Sequence, residues 1–269
     1  MILPCSLALT LERDLADGRL PLNSTSIWAL LYQTVGGAII IPLYYLAYMR
    51  ESAHDDYWSS ASRHVPIRYA KALLPSLLVG YLLPTLAMYL PFPDPDLSLT
   101  QGLIALWQIA PLLVNLLLLG ISTAYIKEAT PPRQNPRPAT DYVKYLNRLY
   151  ITCFTISAAA HIATIATCLS SSPQLSLTEA LIRVPIPDRL SLVGGLRYIF
   201  QADFWIIFAA ALGGSFLTLW DLKRTGHSDL SLWKAVLVMV VGVFCVGPAA
   251  VVAGVWYIRE GIMASKEKR

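Results

Sequence analysis

An acidic residue, Asp203, stands inside a long apolar stretch and is flanked by the aromatic residues Phe200, Phe204 and Trp205. Ionising a carboxylate inside a bilayer costs about 2.5–3.5 kcal/mol on insertion scales, so such an acid is paired, near water or neutral. A neutral carboxylic acid surrounded by aromatic rings is a proton donor. The alternative interpretation is an Asp near a helix N-terminus, where free amides and the helix dipole favour negative charge. The sequence is compatible with both interpretations.

The composition of the chain is that of a membrane protein. The 269 residues are 55% hydrophobic and only 14% charged, whereas soluble domains carry about 25% charged residues. The net charge of +4 comes from loops and chain ends, so it does not indicate nucleic-acid binding. The four cysteines show no spacing typical of zinc or haem sites. We therefore predict an all-α polytopic membrane protein.

The apolar segments predict a bundle of about six transmembrane helices, because about 20 apolar residues span a bilayer. The N-terminal segment 1–22 predicts an interfacial helix or the remnant of a seventh span, since its apolar part covers only half a membrane. Segment 170–196 is amphipathic but interrupted by prolines, and we predict a lid on the membrane surface. The whole chain, 1–269, is expected to form a single transmembrane domain. The predicted spans are 27–48, 69–90, 102–126, 150–169, 197–220 and 232–257.

Strongly polar residues inside the predicted spans lie at one depth. Counted from one face of the bundle, each falls roughly 6–12 Å inside the membrane at about 1.5 Å per helical residue. A single Gln or His is most simply explained by a hydrogen bond between helices, worth about 0.6 kcal/mol, and Trp or Tyr by an interfacial belt. Several such groups together with an acid favour one binding cavity. The predicted cavity residues are Gln33, Gln108, His161, Gln201 and Asp203, with the aromatic residues Tyr32, Trp107, Tyr198, Phe204 and Trp205 at similar depth.

The sequence contains no motif for metal-dependent or nucleotide-dependent chemistry. The Asp-rich pairs that hold Mg²⁺ around a prenyl diphosphate are missing, as are a Gly-rich nucleotide loop and an HExxH zinc motif. Asp55 and Asp56 indicate a solvated loop, and Asp94 and Asp96 indicate a turn beside prolines. We therefore predict no metal and no cofactor. The favoured chemistry is a buried acid that protonates an alkene or epoxide, with aromatic faces stabilising the cation that forms.

Four short motifs lie in the last third of the chain. They are FQAD at 200–203, WDL at 220–222, GPAA at 247–250 and WYIRE at 256–260. In these motifs the chain resembles a fungal family, the small integral-membrane terpene cyclases of meroterpenoid pathways, of the ascofuranone, ascochlorin and macrophorin type. The resemblance implies a membrane-bound enzyme of the endoplasmic reticulum. It also implies cyclisation of a farnesylated aromatic precursor, begun by protonation of a terminal epoxide or alkene.

For the site, the resemblance implies that Asp203 is the proton donor and that Gln201 and Glu260 lie near it. The expected substrate is a lipophilic prenylated small molecule. Besides Gln201 and Glu260, the residues expected to contact it are His161, Gln33, Gln108, Tyr32, Trp107, Phe204 and Trp205.

Two other classes of function would use the same predicted cavity. A non-catalytic carrier, or a lipid- or sterol-binding protein, would bind an apolar molecule there without converting it. A double-bond isomerase or an epoxide hydrolase would use Gln and His side chains facing the acid, in the second case to activate water. In every case the expected partners are a lipophilic molecule and membrane lipid, with no nucleic acid. The oligomeric state is open.

Overall fold

The computed structural model of the chain describes residues 25–58, 65–90, 97–126, 141–170, 177–182 and 191–267. These residues are helical apart from short turns, which confirms the predicted all-α fold for the described part. The predicted interfacial segment 1–22 lies outside the described residues, and so do parts of the predicted lid 170–196. Within these residues the helices are α1 (Thr25–Thr34), α2 (Gly37–Ser52), α3 (Ile67–Ala87), α4 (Ser98–Gln108), α5 (Ala110–Ala124), α6 (Val143–Ser170), α7 (Leu177–Leu181), α8 (Leu192–Arg224), α9 (Leu232–Cys245) and α10 (Pro248–Glu267). A 3-10 turn, Asp55–Trp58, follows α2.

Three helices, α3, α6 and α8, are long and apolar enough to cross a membrane. The pair α4 and α5 would form a fourth span, with a bend of 62° between its two halves. Helix α9 is apolar but shorter, with 14 residues. Among the described residues there are thus three or four candidate spans, and the predicted number of six or seven is not confirmed.

Two of the predicted spans are divided by glycines in a left-handed backbone conformation. Gly36 has a φ of 115° and separates α1 from α2, and Gly247 has a φ of 89° and separates α9 from α10. Because residues with a side chain rarely adopt such angles, glycine permits the chain to leave one helix and begin another. Pro248 follows at the first position of α10, where its missing N–H has no helical partner to lose. The segments 27–48 and 232–257, predicted as continuous, are therefore pairs of helices.

Helix α8 packs against α2 and α10 and borders both hydrophobic clusters of the bundle. One cluster joins α2, α3, α5 and α6, and includes Tyr45 and Leu73. The other joins α8, α9 and α10, and includes Leu222 and Met263. The close approach of α8 to α2 depends on Gly214, because a Cβ atom at that position would overlap the ring of Tyr45.

We expect Gly214→Ala to destabilise the protein, and Gly213→Ala to leave it as stable as the native chain or slightly more stable. A Cβ atom at Gly214 forces the buried Tyr45 ring to move, and overpacking of this kind costs about 1–3 kcal/mol. A Cβ atom at Gly213 meets open space, and Ala favours a helix over Gly by up to about 1 kcal/mol. Thermal unfolding of the two purified variants in detergent measures the difference. Equal stabilities would contradict the close packing of α2 and α8.

Candidate functional site

A cavity of about 490 Å³ lies where α1, α2, α3 and α4 meet α8. Six of the residues predicted from the sequence line it, and they come from three separate predicted spans: Tyr32, Gln33, Trp107, Gln108, Asp203 and Phe204. The other residues on its wall are Gly36, Gly37, Ile41, Tyr81, Ile199, Phe200, Ile207 and Phe208.

The backbone departs from a regular α-helix on three sides of this cavity. Helix α1 ends at the Gly36 break, α3 contains a π-helical turn at Leu78–Leu82, and α4 is bent against α5 after Gln108. Tyr81 lies in the π-turn and Trp107 lies just before the bend, and both line the cavity. Inside a bilayer, non-helical backbone is tolerated where it lines a cavity, and π-turns are frequent at functional sites. The irregular backbone therefore supports a functional cavity rather than a packing defect.

Asp203 lies well inside α8 and reaches across to the start of α2. Its Oδ1 atom accepts a hydrogen bond of 2.6 Å from the backbone N–H of Ala38. The first N–H groups of a helix have no partner within the helix and carry partial positive charge, which favours a carboxylate. Gly37 allows this approach, since a Cβ atom there would overlap Ile207 and lie 3.3 Å from Oδ1. Asp203 therefore does not lie near the N-terminus of its own helix, which begins at Leu192, but its carboxyl group reaches the N-terminus of α2 and lines the cavity. Its role as a proton donor stays a prediction.

Two polar atoms on the cavity wall have no hydrogen-bond partner within the described part of the chain. They are the hydroxyl oxygen of Tyr32 and the side-chain nitrogen Nε2 of Gln33, and both are buried. Leaving a buried polar atom unpaired costs about 1–3 kcal/mol. A water molecule or a ligand oxygen would remove that cost. The wall therefore offers hydrogen-bond donors to a polar group inside a largely apolar cavity.

Aromatic rings form much of the cavity wall. The ring centroids of Tyr81 and Trp107 lie 6.3 Å apart, and those of Phe204 and Phe208 lie 4.6 Å apart in an edge-to-face arrangement. The indole N–H of Trp107 donates to Thr85 Oγ1 over 3.0 Å, which fixes the orientation of the ring. Faces of such rings attract a cation within about 6 Å of their centroids. Tyr81 and Phe208 were not predicted from the sequence, although prolines on either side of Tyr81 signal an irregular helix.

Gln201, predicted to belong to the cavity, lines a neighbouring groove of about 500 Å³ instead. The groove and the cavity share Phe200 and Phe204 on α8, so these two rings form the boundary between them. Trp205 also lies outside the cavity wall. Its indole N–H donates to the backbone oxygen of Leu181 over 2.6 Å, which ties the short helix α7 to α8. The remaining residues that line the groove are Leu181, Val193, Leu196 and Arg197.

His161 lies outside the cavity wall as well. Its ring packs against the Gly247 break between α9 and α10, where an added Cβ atom would lie 2.7 Å from the ring. The ring nitrogen Nε2 lies 3.2 Å from the backbone oxygen of Phe244, near the end of α9. These contacts give His161 a structural environment, and its role at the substrate stays a prediction.

Glu260 belongs to a separate buried cluster, which we call the Arg259 cluster. Glu260 forms an ion pair with Arg259, and the two side chains are 1% and 2% exposed. The Arg259 guanidinium lies 4.7 Å from the ring centroid of Trp256 and 5.6 Å from that of Trp58. Its Nη2 atom donates to the hydroxyl of Tyr57 over 3.3 Å. The cluster thus connects the 3-10 turn after α2 to α10.

The Arg259 cluster lies far from the cavity along α8. Tyr48 packs on Trp256 with ring centroids 5.7 Å apart, and its hydroxyl lies 3.2 Å from Thr218 Oγ1. Roughly 22 Å of helix separates Thr218 from Asp203 at about 1.5 Å per residue. The structure therefore places Glu260 away from Asp203, which corrects the proximity implied by the resemblance.

The chain is similar to known fungal proteins along most of its length. Terpene cyclase ascI of Acremonium egyptiacum is 27% identical over 252 residues, which cover 88% of this chain and 63% of that protein. Terpene cyclase rstn5 of Aspergillus nomiae is 27% identical over 239 residues, with coverages of 88% and 63%. An FAD-dependent monooxygenase of Botryotinia fuckeliana is 25% identical over 238 residues, which cover 88% of this chain and 30% of that protein. No solved structure matches the chain.

These matches show how much of the chain is similar to the fungal terpene cyclases. The chain spans 63% of the length of each of the two terpene cyclases. The resemblance to fungal terpene cyclases is confirmed, and it covers most of the chain rather than its last third. The CtvD domain matches residues 13–264. The chain therefore belongs to the CtvD domain family.

Proposed function

We propose that the chain is a membrane-embedded terpene cyclase of the endoplasmic reticulum that acts on an aromatic precursor carrying a farnesyl chain. The observation that carries this proposal is Asp203 on the wall of an aromatic cavity, hydrogen-bonded through Oδ1 to the start of α2. The names of the relatives ascI and rstn5 as terpene cyclases support the same chemistry here.

Exposed apolar side chains support a place in the membrane. Trp233 is 84% exposed, Val238 67% and Phe244 75%, and all three lie on the apolar helix α9. Soluble proteins rarely expose large contiguous apolar patches. A lipid environment would cover these side chains, and α3, α6 and α8 are long enough to cross it. It would also deliver a lipophilic substrate to the cavity without passage through water.

The reaction begins with protonated Asp203. Since Oδ1 accepts the hydrogen bond from Ala38, Oδ2 is the oxygen from which the proton is transferred in this proposal. This proton passes to the oxygen of a terminal epoxide, the bond from that oxygen to the tertiary carbon breaks, and the carbon takes the positive charge. With an alkene substrate, the proton passes to the terminal double bond and a tertiary cation forms in the same place.

Ring closure follows without a change in composition. The π electrons of the next double bond attack the cation, which forms a carbon–carbon bond and moves the charge along the chain. Loss of a proton from carbon to a base ends the sequence, so the product is an isomer of the substrate. Trp107, Phe204 and Phe208 line the cavity, and a desolvated cation–π contact with such a ring is worth about 2 kcal/mol.

The carboxylate left after proton transfer is stabilised by the start of α2. The N–H of Ala38 already donates to Oδ1, so the donor is in place when the negative charge appears. The dipole of α2 adds to this effect, by about 0.3–1 kcal/mol for a charge at a helix terminus. The unpaired polar atoms of Tyr32 and Gln33 can hold the hydroxyl group that forms from the epoxide.

Products formed from two substrates test this function. Microsomes that contain the chain are incubated with an epoxy-farnesyl arene and with the plain farnesyl arene, and products are separated and weighed by mass spectrometry. A cyclase gives an isomer of unchanged mass that contains a new carbon ring. From the plain farnesyl arene this isomer has lost one double bond for each ring formed, and from the epoxide it has lost the epoxide ring and gained a hydroxyl group. A hydrolase gives a product heavier by one water, a double-bond isomerase keeps the number of double bonds and forms no carbon ring, and a carrier converts neither substrate. Any of these three results would replace the proposal.

We expect activity to persist in EDTA, because protonation by Asp203 needs no metal. Magnesium sites are built from carboxylates that converge on the ion. Among the residues that the structure describes, no three His, Cys, Asp or Glu side chains form a group that could hold a metal ion. The side chains of Asp55 and Asp56 lie outside that part. Loss of turnover in chelator, restored by Mg²⁺, would contradict the prediction and direct attention to these two residues.

A further inference from the structure

We propose that the groove beside the cavity is the entrance for the substrate, and that Arg197 binds an acidic oxygen on the aromatic head of that substrate. The inference rests on the proposed function, which supplies the prenyl chain that occupies the cavity. It adds the chemical class of the head group, which is an aromatic ring carrying a carboxylate or an ionised phenol.

Four residues on one side of α8 line the groove. Arg197, Phe200, Gln201 and Phe204 stand at positions i, i+3, i+4 and i+7, which share one face of a helix. Phe200 and Phe204 also line the cavity that contains Asp203. A bound molecule can therefore extend from Arg197 past the two rings to Asp203 along a single helix.

The groove suits a molecule with one charged end. Among the residues that line it, Arg197 alone carries a charge, and the others are apolar apart from Gln201. A guanidinium group offers a planar fork of N–H donors that matches a carboxylate, and it also stacks on aromatic rings. Leu181 and Leu196 supply apolar surface next to it for the first isoprene units.

The two ends of this route differ in chemistry, and this fixes the direction of the substrate. Arg197 offers positive charge at the groove, whereas Asp203 offers an acid roughly 9 Å further along the helix. An anionic head is attracted to the Arg197 guanidinium, whereas none of the side chains that line the cavity carries a positive charge. The terminal epoxide or double bond, at the far end of the chain, is then the part that reaches the acid. Orientation by the head group would thus decide which double bond is protonated.

Binding, measured apart from turnover, tests the inference. The purified chain in phosphatidylcholine nanodiscs is titrated with a tritiated farnesylated benzoic acid and with its methyl ester, which has the same chain but no charge. We expect the native chain to bind the acid about tenfold or more tightly than the ester, as hydrogen bonds between charged groups imply. Arg197→Gln should bind the acid no more tightly than the ester, and Arg197→Lys should keep part of the preference.

Arg50→Gln is the matched control, because it removes an exposed arginine from the last turn of α2 and should leave the preference unchanged. Equal binding of acid and ester by the native chain would overturn the inference, and so would an undiminished preference in folded Arg197→Gln. Tight binding of phosphatidylserine that is lost in Arg197→Gln, without an acid preference, would assign the groove to lipid head groups instead. The proposed function fails separately, if the native chain prefers the acid but forms no cyclised isomer.

Discussion

Asp203→Asn is expected to lower turnover by at least about 10²-fold, the usual scale for loss of a general acid. Asn keeps the size of the side chain, and its Oδ1 atom can still accept the hydrogen bond from Ala38. It has no acidic proton to give, so protonation of the substrate is lost while the cavity is kept. Asp203→Glu should retain some activity, since the acid is present but displaced by one methylene group. Formation of cyclised isomer by the purified variants gives the comparison.

Substrate affinity and a matched control variant distinguish a catalytic role of Asp203 from a structural one. Affinity for the prenyl substrate should survive both substitutions, because burial is what holds an apolar chain. Asp221→Asn changes another carboxylate of α8, which pairs with Arg224 at 3.0 Å, and should leave turnover near the native value. If Asp203 only capped α2, then Asn, itself a good capping residue, would be nearly silent. Near-native turnover in well-folded Asp203→Asn would therefore reject Asp203 as the acid.

Removing one partner of the buried Arg259–Glu260 ion pair should destabilise the protein by about 3–5 kcal/mol. Arg259→Met leaves the Glu260 carboxylate, which is 1% exposed, without its guanidinium partner. The combination of Arg259→Met with Glu260→Leu removes both charges and should restore much of the stability, because no uncompensated charge stays buried. Unfolding of the variants in detergent, by heat or denaturant, measures each step.

An exposed ion pair provides the control for this experiment. Lys144 and Asp141 lie 3.6 Å apart, and their side chains are 54% and 32% exposed. Lys144→Met should change the free energy of unfolding by less than about 1 kcal/mol. Loss of activity in Arg259→Met without loss of stability would contradict a structural role for the Arg259 cluster, and Glu260 would again be a candidate for substrate contact.

Counting residues along the predicted helices gave the depth of the site in the membrane, but it did not identify all the residues that line the cavity. Gln33, Gln108 and Asp203 were assigned to one layer from helical rise, and they line one cavity. His161 has a similar predicted depth, yet its ring faces Gly247 on another side of the bundle. Helical rise fixes how deep a residue lies, whereas its direction depends on which neighbouring helix packs against that face. A single sequence therefore gives the depth of a residue but not the direction in which its side chain points.

The helix break at Gly36 shows why the partner of Asp203 was not predicted. Adjacent small residues in a membrane helix are typical of close packing, and nothing local specifies that Gly36 adopts a φ of 115°. That break creates the helix start whose Ala38 N–H bonds to Asp203. The two residues are 165 positions apart, so the contact exists only through the packing of α2 on α8.

Photolabelling tests most directly whether the reacting end of the substrate lies beside Asp203. The probe is a farnesyl arene that carries a diazirine at the distal end of the chain, and the labelled peptides are identified by mass spectrometry. We expect label within 199–208 and at 107–108, the segments of α8 and α4 that line the cavity, with protection by excess unlabelled substrate. Label concentrated in 256–263, around the Arg259 cluster, would contradict the assignment of Asp203 as the acid that starts cyclisation.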